Sequence, residues 1–313
     1  MSDKRYSPCI LATCCLPWNE DGTLAEDIFR QSIRNLLQHL TRDLYVFGTA
    51  GEGHAVTDRQ FDQIIRIFRQ ETNQPDTRPM VGVISLSLGT ILDRIQRARE
   101  LGFRYFQVSL PSWGALNNAE LARFFEAVCG GFPDCSFLHY NLGRSKRLVS
   151  PDEYAVLARE FPNLVATKHG MDSMDRIHQL MTRVPQLLHF FTETGYAYAA
   201  QLGECGFLIS AASMNFPSAR EYFEAGRRQD TRKLVVLQSE LKSLIDDLIA
   251  VAGEAAHMDG AYDQFYCKAH DPRFPLRLLS PYSSFSDLTF QRFLKQVREK
   301  HPRWLPSAPA HVS

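Results

Sequence analysis

The chain has 313 residues, 44% of them hydrophobic, and its 35 basic and 35 acidic side chains cancel. This neutral balance argues against nucleic acid or an anionic membrane surface as the main partner. No apolar stretch approaches the roughly 18–20 residues that a membrane-spanning helix needs, so we expect a protein that does not cross a membrane.

The cysteines indicate a reducing environment. There are seven, an odd number, and no two form a Cys-x-x-Cys pair. We therefore expect buried free thiols. The apolar run after Lys4 and Arg5 is broken by prolines and lacks a small-residue cleavage pattern. A cleaved signal peptide is not expected, and we predict a cytoplasmic location.

Short apolar segments alternate with amphipathic stretches over most of the chain. The strand candidates, in chain order, are SPCILATCCL, LYVFGTA, PMVGVIS, RYFQVSL, CSFLHYNL, NLVATK, LLHFFTE and GFLISAAS. Between them, apolar residues recur at three- and four-residue spacing, as on one face of a helix. Thr57, Asn117 and Ser150 precede acidic or apolar runs and are predicted to cap helices.

Eight such strand–helix units predict an α/β fold, a (β/α)8 TIM barrel, over residues 1–230. A doubly wound open sheet is the alternative, but no Gly-x-Gly-x-x-Gly follows the first strand. From Thr231 the pattern becomes purely helical. Residues 231–313 are therefore predicted to form a C-terminal helical extension.

The ends of the predicted strands carry the candidate chemistry, because reactive groups of such barrels lie at that face. Thr49 follows the second strand, Tyr140 ends the fifth and Lys168 ends the sixth. A lysine among apolar neighbours loses hydration, so its pKa should fall. Its free amine can attack a ketone to form a Schiff base, and a nearby tyrosine can transfer the protons.

Each of these residues also has a structural interpretation. The lysine could be solvated, the tyrosine could pack in the core, and GTAGEG, residues 48–53, could be a glycine-rich turn held by Glu52. His139 and His169 have no partner at metal-binding spacing, so no metal site is predicted. The occurrence of Thr49, Tyr140 and Lys168 at one end of the same barrel favours catalysis.

Three segments resemble motifs of a known family. YVFGTAGEGHAVT resembles its GTTGE or GSTGE loop, LHYNL its strand-five tyrosine motif, and NLVATKHG its segment with the Schiff-base lysine. The chain is thus similar, over nearly its whole length, to the dihydrodipicolinate synthase and N-acetylneuraminate lyase family of class I aldolases. The resemblance implies a homotetramer or dimer that acts on pyruvate or another 2-oxo acid without a metal or other cofactor.

The resemblance also implies roles for individual residues. Lys168 would form the Schiff base and Tyr140 would carry protons. Thr49 and the backbone at Ala50 would hold the substrate carboxylate, and the neighbouring Gly51 would let backbone N–H groups approach it. From strand eight, Ile209 or Ser210 would line the site.

Three departures from the family pattern concern the substrate. Ala50 stands where the family has a second hydroxyl, and Trp113 stands where the synthases have a tyrosine that reaches into a neighbouring subunit's site. Ser145 takes the place of the arginine that grips the semialdehyde, with Arg144 beside it as a candidate replacement. These departures favour a substrate other than that of the synthases.

We therefore expect a Schiff-base-forming lyase, an aldolase or dehydratase, whose 2-oxo acid derives from a sugar acid or carries an aromatic side chain. Phe47, Trp113 and His139 would supply an aromatic wall. One alternative is a 4-hydroxy-tetrahydrodipicolinate synthase, which condenses pyruvate with aspartate semialdehyde. Another is a non-catalytic relative that binds a 2-oxo acid as a sensor or scaffold, although retention of Lys168 and Tyr140 speaks against it.

Overall fold

The computed structural model describes residues 4–170, 173–253 and 257–306. Its strands form one closed barrel in chain order, with all eight parallel and the last paired to the first. The predicted (β/α)8 barrel is therefore confirmed. The strands are β1 Ile10–Cys14, β2 Asp43–Val46, β3 Met80–Gly82, β4 Tyr105–Val108, β5 Ser136–Asn141, β6 Leu164–His169, β7 Leu188–Phe191 and β8 Gly206–Ile209.

A helix follows each strand and packs on the outside of the barrel. The barrel helices are α1 Glu26–His39, α2 Asp58–Thr72, α3 Leu88–Glu100, α4 Asn118–Phe125, α5 Pro151–Glu160, α6 Met174–Arg183, α7 Glu193–Leu202 and α8 Phe216–Arg227. The predicted caps are confirmed at Thr57, Asn117 and Ser150. Each side chain accepts a hydrogen bond from the backbone N–H three residues later, completing a capping box.

The C-terminal part is helical, as predicted. Its helices are α9 Thr231–Ala252, α10 Asp259–His270 and α11 Asp287–Lys300. Buried side chains of this part, among them Leu237, Phe265 and Trp304, belong to the same apolar cluster as the layer between strands and barrel helices. The extension thus packs as a continuation of the outer core. The division into domains at residues 230 and 231 stays a prediction.

The barrel interior has its own smaller apolar cluster, which includes Leu138, Leu188 and Phe190. At the N-terminal end of the barrel, Tyr6 donates a hydrogen bond to Asp43 (2.9 Å), and Arg78 forms an ion pair with the same carboxylate (2.6 Å). Since these side chains fill the lower end, the interior is accessible from the C-terminal face.

Two further expectations can be compared with the described residues. All seven cysteines are free; six are buried, whereas Cys267 is partly exposed. Within the described ranges, none of the helices has the length and apolarity needed to cross a membrane.

Candidate active site

A cavity of about 540 Å³ opens at the C-terminal face of the barrel. It lies at the strand ends, where the sequence predicted the chemistry. The residues lining it include six predicted from the sequence: Thr49, Ala50, Tyr140, Lys168, Ile209 and Ser210. The barrel therefore brings these six side chains together around one space.

Lys168 extends into this cavity from β6 and is only 3% exposed. Its Nζ donates a hydrogen bond to the Tyr45 hydroxyl (2.9 Å) and lies 4.1 Å from the centroid of the Tyr140 ring. Lys168 is paired across the sheet with Tyr140. The expected proximity of the lysine and the tyrosine on adjacent strands is thus confirmed.

An irregularity in the pairing of β5 with β6 produces this register. Phe137 is opposite Leu164, but Leu138 is opposite Ala166, so Val165 is the extra residue. A β-bulge of this kind shifts all later residues of the strand by one position. Without the extra residue, regular pairing would place Thr167 opposite Tyr140, and Lys168 would point out of the barrel.

The surroundings of Lys168 favour its neutral amine. Burial lowers its pKa from 10.5 to about 7, and the negative charges of Asp259, Asp263 and Glu193 partly oppose this shift. Burial costs the charged form its hydration, which explains the direction. A substantial fraction of free amine is therefore present near neutral pH, as a nucleophile requires.

Tyr140 and Thr49 form the polar wall beside the lysine. Burial raises the pKa of Tyr140, while hydrogen bonding with the Thr49 hydroxyl opposes that shift. The phenol therefore stays protonated at neutral pH, where it can donate a proton and then recover it. Tyr45, which the sequence interpretation missed, supplies a second buried hydroxyl at the amine. Its inward position on β2 follows from the alternation of strand side chains.

The GTAGEG loop lines the cavity through Thr49 and Ala50 and is anchored to the rest of the protein through Glu52. Both oxygens of Glu52 accept hydrogen bonds, one from the Trp18 indole N–H and one from the Leu279 backbone N–H, each 2.7 Å long. Glu52 thus ties the loop to the extension, which supports its structural interpretation. Gly51 does not line the cavity. A Cβ there would lie 2.9 Å from the Phe47 backbone nitrogen, so the loop packs too tightly for a side chain.

Carboxyl groups that the sequence interpretation did not assign to the site also line the cavity. Asp259 and Asp263 come from α10, and Glu193 follows β7. Asp263 accepts a hydrogen bond from the Ser210 hydroxyl (2.8 Å), and Glu193 accepts one from the Ser210 backbone N–H (3.0 Å). Burial raises the pKa of Asp263 to about 7. The sequence signal for a site residue was an aspartate within an apolar helix. The sequence pattern did not show, however, that α10 covers the mouth of the barrel.

The remaining predicted residues lie elsewhere. Arg144 pairs with Asp259 at the rim, and Trp113 is 82% exposed and does not line the cavity of its own chain. The predicted aromatic wall is wrong for Phe47 and His139. Phe47 stacks on Phe61, and the His139 Nδ1 lies 2.6 Å from the Tyr154 hydroxyl. His139 faces the helices because its position on β5 points outward. Phe47 follows the end of β2 with a positive φ of 65°, so its ring departs from the alternation of that strand.

The fold and the cavity define a (β/α)8-barrel protein with a lysine-centred site at its C-terminal face. The model of the Dihydrodipicolinate synthetase family matches residues 7–281. The chain belongs to this family, and the resemblance predicted from the sequence is confirmed.

The individual relatives compared below have low sequence identity to this chain. A 4-hydroxy-tetrahydrodipicolinate synthase of Thermosynechococcus vestitus is 23% identical over 270 residues, which cover 85% of this chain and 90% of the relative. The structure is similar to that of YagE, a prophage protein of the dihydrodipicolinic acid synthase family from E. coli K12 in complex with pyruvate. The TM-score is 0.82 at 16% identity, covering 93% of this chain and 98% of that one. It is also similar to Proteus mirabilis N-acetylneuraminate lyase, with a TM-score of 0.82 at 15% identity and coverage of 95% and 99%.

Proposed function

We propose that this protein is a Schiff-base-forming lyase, an aldolase or dehydratase, that acts on pyruvate or another 2-oxo acid through Lys168. The observation that carries the proposal is the Lys168 amine, buried in an accessible cavity and paired across the sheet with Tyr140. Membership in the Dihydrodipicolinate synthetase family supports a lyase of this kind.

The chemistry begins when the Lys168 amine attacks C2 of the 2-oxo acid. The new C–N bond forms as the amine nitrogen gives up one proton and the carbonyl oxygen takes one. That oxygen then takes a second proton from Tyr140 and leaves as water, giving an iminium ion. The iminium draws electrons from a bond to C3, so that a proton or a carbon fragment leaves and an enamine remains. Tyr140 carries the protons between these steps, because its hydroxyl is protonated and adjacent.

The substrate carboxylate is assigned to the loop after β2. Thr49 and Ala50 line the cavity beside Tyr140, and Gly51 keeps the backbone of this loop close-packed. We propose that the Thr49 hydroxyl and the backbone at Ala50 hold the carboxylate. Ile209 and Ser210 line the site from the β8 end.

The second candidate is a 4-hydroxy-tetrahydrodipicolinate synthase that condenses pyruvate with aspartate semialdehyde. The synthase of T. vestitus, aligned over 85% of this chain, supports it. Arg144, the candidate for gripping the semialdehyde, is instead engaged by Asp259. We therefore rank this activity second.

Assembly and location remain predictions. We expect a homotetramer or dimer because the family resemblance implies one, and the 82% exposed indole of Trp113 is available to contact a partner subunit. We also keep the predicted cytoplasmic location. Neither expectation enters the reaction proposed above.

The Schiff base can be trapped directly. The protein is incubated with pyruvate and sodium borohydride, and its peptides are analysed by mass spectrometry. We expect a reduced pyruvate adduct on Lys168 that is absent from Lys168→Ala and retained in Lys146→Ala, a control at an exposed lysine. No adduct on Lys168, or an equal adduct in Lys168→Ala, would contradict the mechanism and favour a binding protein.

A further inference from the structure

Helix α10 of the extension places two carboxyl groups in the wall of the cavity that holds Lys168. Asp259 and Asp263 are four residues apart and therefore lie on one face of the helix. Asp263 is 5% exposed and accepts a hydrogen bond from the Ser210 hydroxyl, at 2.8 Å. Glu193 adds a third carboxyl group to the same wall.

Asp259 also engages the arginine at the rim of the cavity. The two terminal nitrogens of Arg144 donate to the two oxygens of Asp259, at 3.1 and 2.9 Å. Parallel bonds of this kind are how a guanidinium binds a substrate carboxylate. Asp259 therefore occupies the donors that an anionic substrate group would use.

Among the described residues that line the cavity, Lys168 alone carries a positive charge, and the proposed reaction uses its amine. Ile245, Leu248 and Ile249 of α9 supply an apolar side. The Ser210 hydroxyl is already used as a donor to Asp263, so it is not available to an anionic group. An anionic group placed here would lose its hydration and face like charges.

We call the part of the cavity wall formed by Asp259, Asp263 and Glu193 the distal wall. We infer that α10 makes this wall selective for an uncharged substrate group, with Asp259 as the specificity-determining residue because it binds the Arg144 guanidinium. A 2-oxo acid whose chain ends in an alkyl or hydroxyl group fits this wall, whereas one that ends in a second carboxylate does not. The inference rests on the proposed function and adds the class of substrate to it.

Two 2-oxo acids of equal chain length test the inference. 2-Oxopentanoate ends in a methyl group and 2-oxoglutarate in a carboxylate. The borohydride-trapping rate on Lys168 is measured for each, with pyruvate as reference. We expect the wild-type protein to trap 2-oxopentanoate at least about tenfold faster than 2-oxoglutarate, because juxtaposed like charges cost several kcal/mol.

Variants of Asp259 and Arg144 test whether Asp259 sets the specificity by binding the Arg144 guanidinium. Asp259→Asn should raise the rate ratio of 2-oxoglutarate to 2-oxopentanoate by about tenfold, since the freed guanidinium can then bind the distal carboxylate. The double variant Asp259→Asn, Arg144→Gln should lose this gain. Asp271→Asn, which changes a carboxylate just beyond the other end of α10, should leave the ratio at the wild-type value.

The outcomes separate this inference from the proposed function. Absence of a pyruvate adduct overturns both. If pyruvate is trapped but 2-oxoglutarate reacts as fast as 2-oxopentanoate in the wild type, the selectivity is wrong while the mechanism stands. If the ratio does not rise in Asp259→Asn, or if its gain persists without Arg144, then Asp259 does not determine specificity through Arg144.

Discussion

The burial of Lys168, which the proposed reaction requires, has a cost to stability. The Lys168 amine is buried and its pKa is lowered to about 7. The folded protein therefore favours the neutral amine, whereas water at the same pH favours the ammonium ion. The unfolded chain restores full hydration to the ammonium ion. A buried lysine of this kind destabilises the native state, as is common where activity sets the residue.

Replacement of Lys168 by Met should therefore stabilise the protein while abolishing the adduct. We expect the free energy of unfolding at pH 7 to rise by about 4 kcal/mol, because each pKa unit between 10.5 and about 7 corresponds to about 1.36 kcal/mol. Urea denaturation followed by circular dichroism measures the change. Lys295→Met, at a side chain that is 77% exposed, serves as the control and should have little effect.

The pH dependence of this gain has a definite sign. The folded pKa is about 7 and the ordinary value is 10.5, so the lysine's cost is greatest below pH 7, where both states are protonated and the folded state holds the ammonium ion without its hydration. Between pH 7 and 10.5 the unfolded state binds the extra proton, so stability increases with pH over that interval. The cost falls as the pH rises from 7 toward 10.5. The advantage of the Met variant should shrink over the same interval, and a gain that increased with pH would contradict the assignment.

Tyr140 is expected to act in proton transfer rather than in packing. The enamine exchanges the methyl protons of pyruvate with solvent, so exchange in D2O, followed by NMR, reports on proton transfer without a second substrate. Tyr140→Phe should slow this exchange by about two to four orders of magnitude.

The matched control for Tyr140→Phe is Tyr196→Phe. Tyr196 is also buried, and its hydroxyl donates to the Phe223 carbonyl, at 2.6 Å, away from the cavity. That variant should lose stability but retain the exchange rate. A change below threefold in Tyr140→Phe would remove Tyr140 from the mechanism.

At the scale of the elements, short sequence patterns account for most of the barrel. Alternation within β5 points Leu138 and Tyr140 inward and His139 outward. The capping boxes at Thr57, Asn117 and Ser150 begin α2, α4 and α5 at the predicted residues. Each of these features depends on neighbours within a few positions, which explains why the sequence predicts them.

The β-bulge at Val165 is an element-scale feature that the sequence pattern did not indicate. Leu164, Val165 and Ala166 are all apolar and all buried, so nothing in their alternation marks one of them as the extra residue. The pairing of β6 with β5 determines that Val165 is the extra residue. The position of Lys168 inside the barrel therefore depends on a contact between strands and not on β6 alone.

At the scale of the whole molecule, the extension is part of the enzyme's core and of its cavity. Leu234, Leu237 and Leu241 of α9 are each 1% exposed and belong to the cluster that surrounds the barrel. A chain ended after Asp230 would leave the apolar surface that they cover exposed to water. We expect this truncated chain to be insoluble or to lack a cooperative thermal transition.

Solubility and thermal melting by circular dichroism measure this outcome. A chain ended after Pro306 is the control, because it retains α9, α10 and α11. It should melt cooperatively. If the chain of residues 1–230 were soluble and melted cooperatively, the barrel would be an independent domain, and the view of a shared core would be wrong.

The family membership and the position of the cavity could be predicted because they depend on local motifs. The strand ends that carry Thr49, Tyr140 and Lys168 meet at one face of any closed parallel barrel. The predicted aromatic wall was wrong for His139 because it did not apply the alternation that places His139 on the opposite face of β5 from Tyr140. It was wrong for Phe47 because that residue follows β2 with a positive φ, which the sequence pattern does not indicate.

The sequence by itself thus determined the succession of strands and helices, the barrel and the lysine, since apolar periodicity and turn chemistry are recorded within a few residues of each position. Only the tertiary structure decided the register of Lys168 and the composition of the distal wall. Arg144 and Asp259 are 115 residues apart in the chain. Their pairing depends on how α10 packs over the barrel, and that packing results from contacts across the whole core rather than from any local pattern.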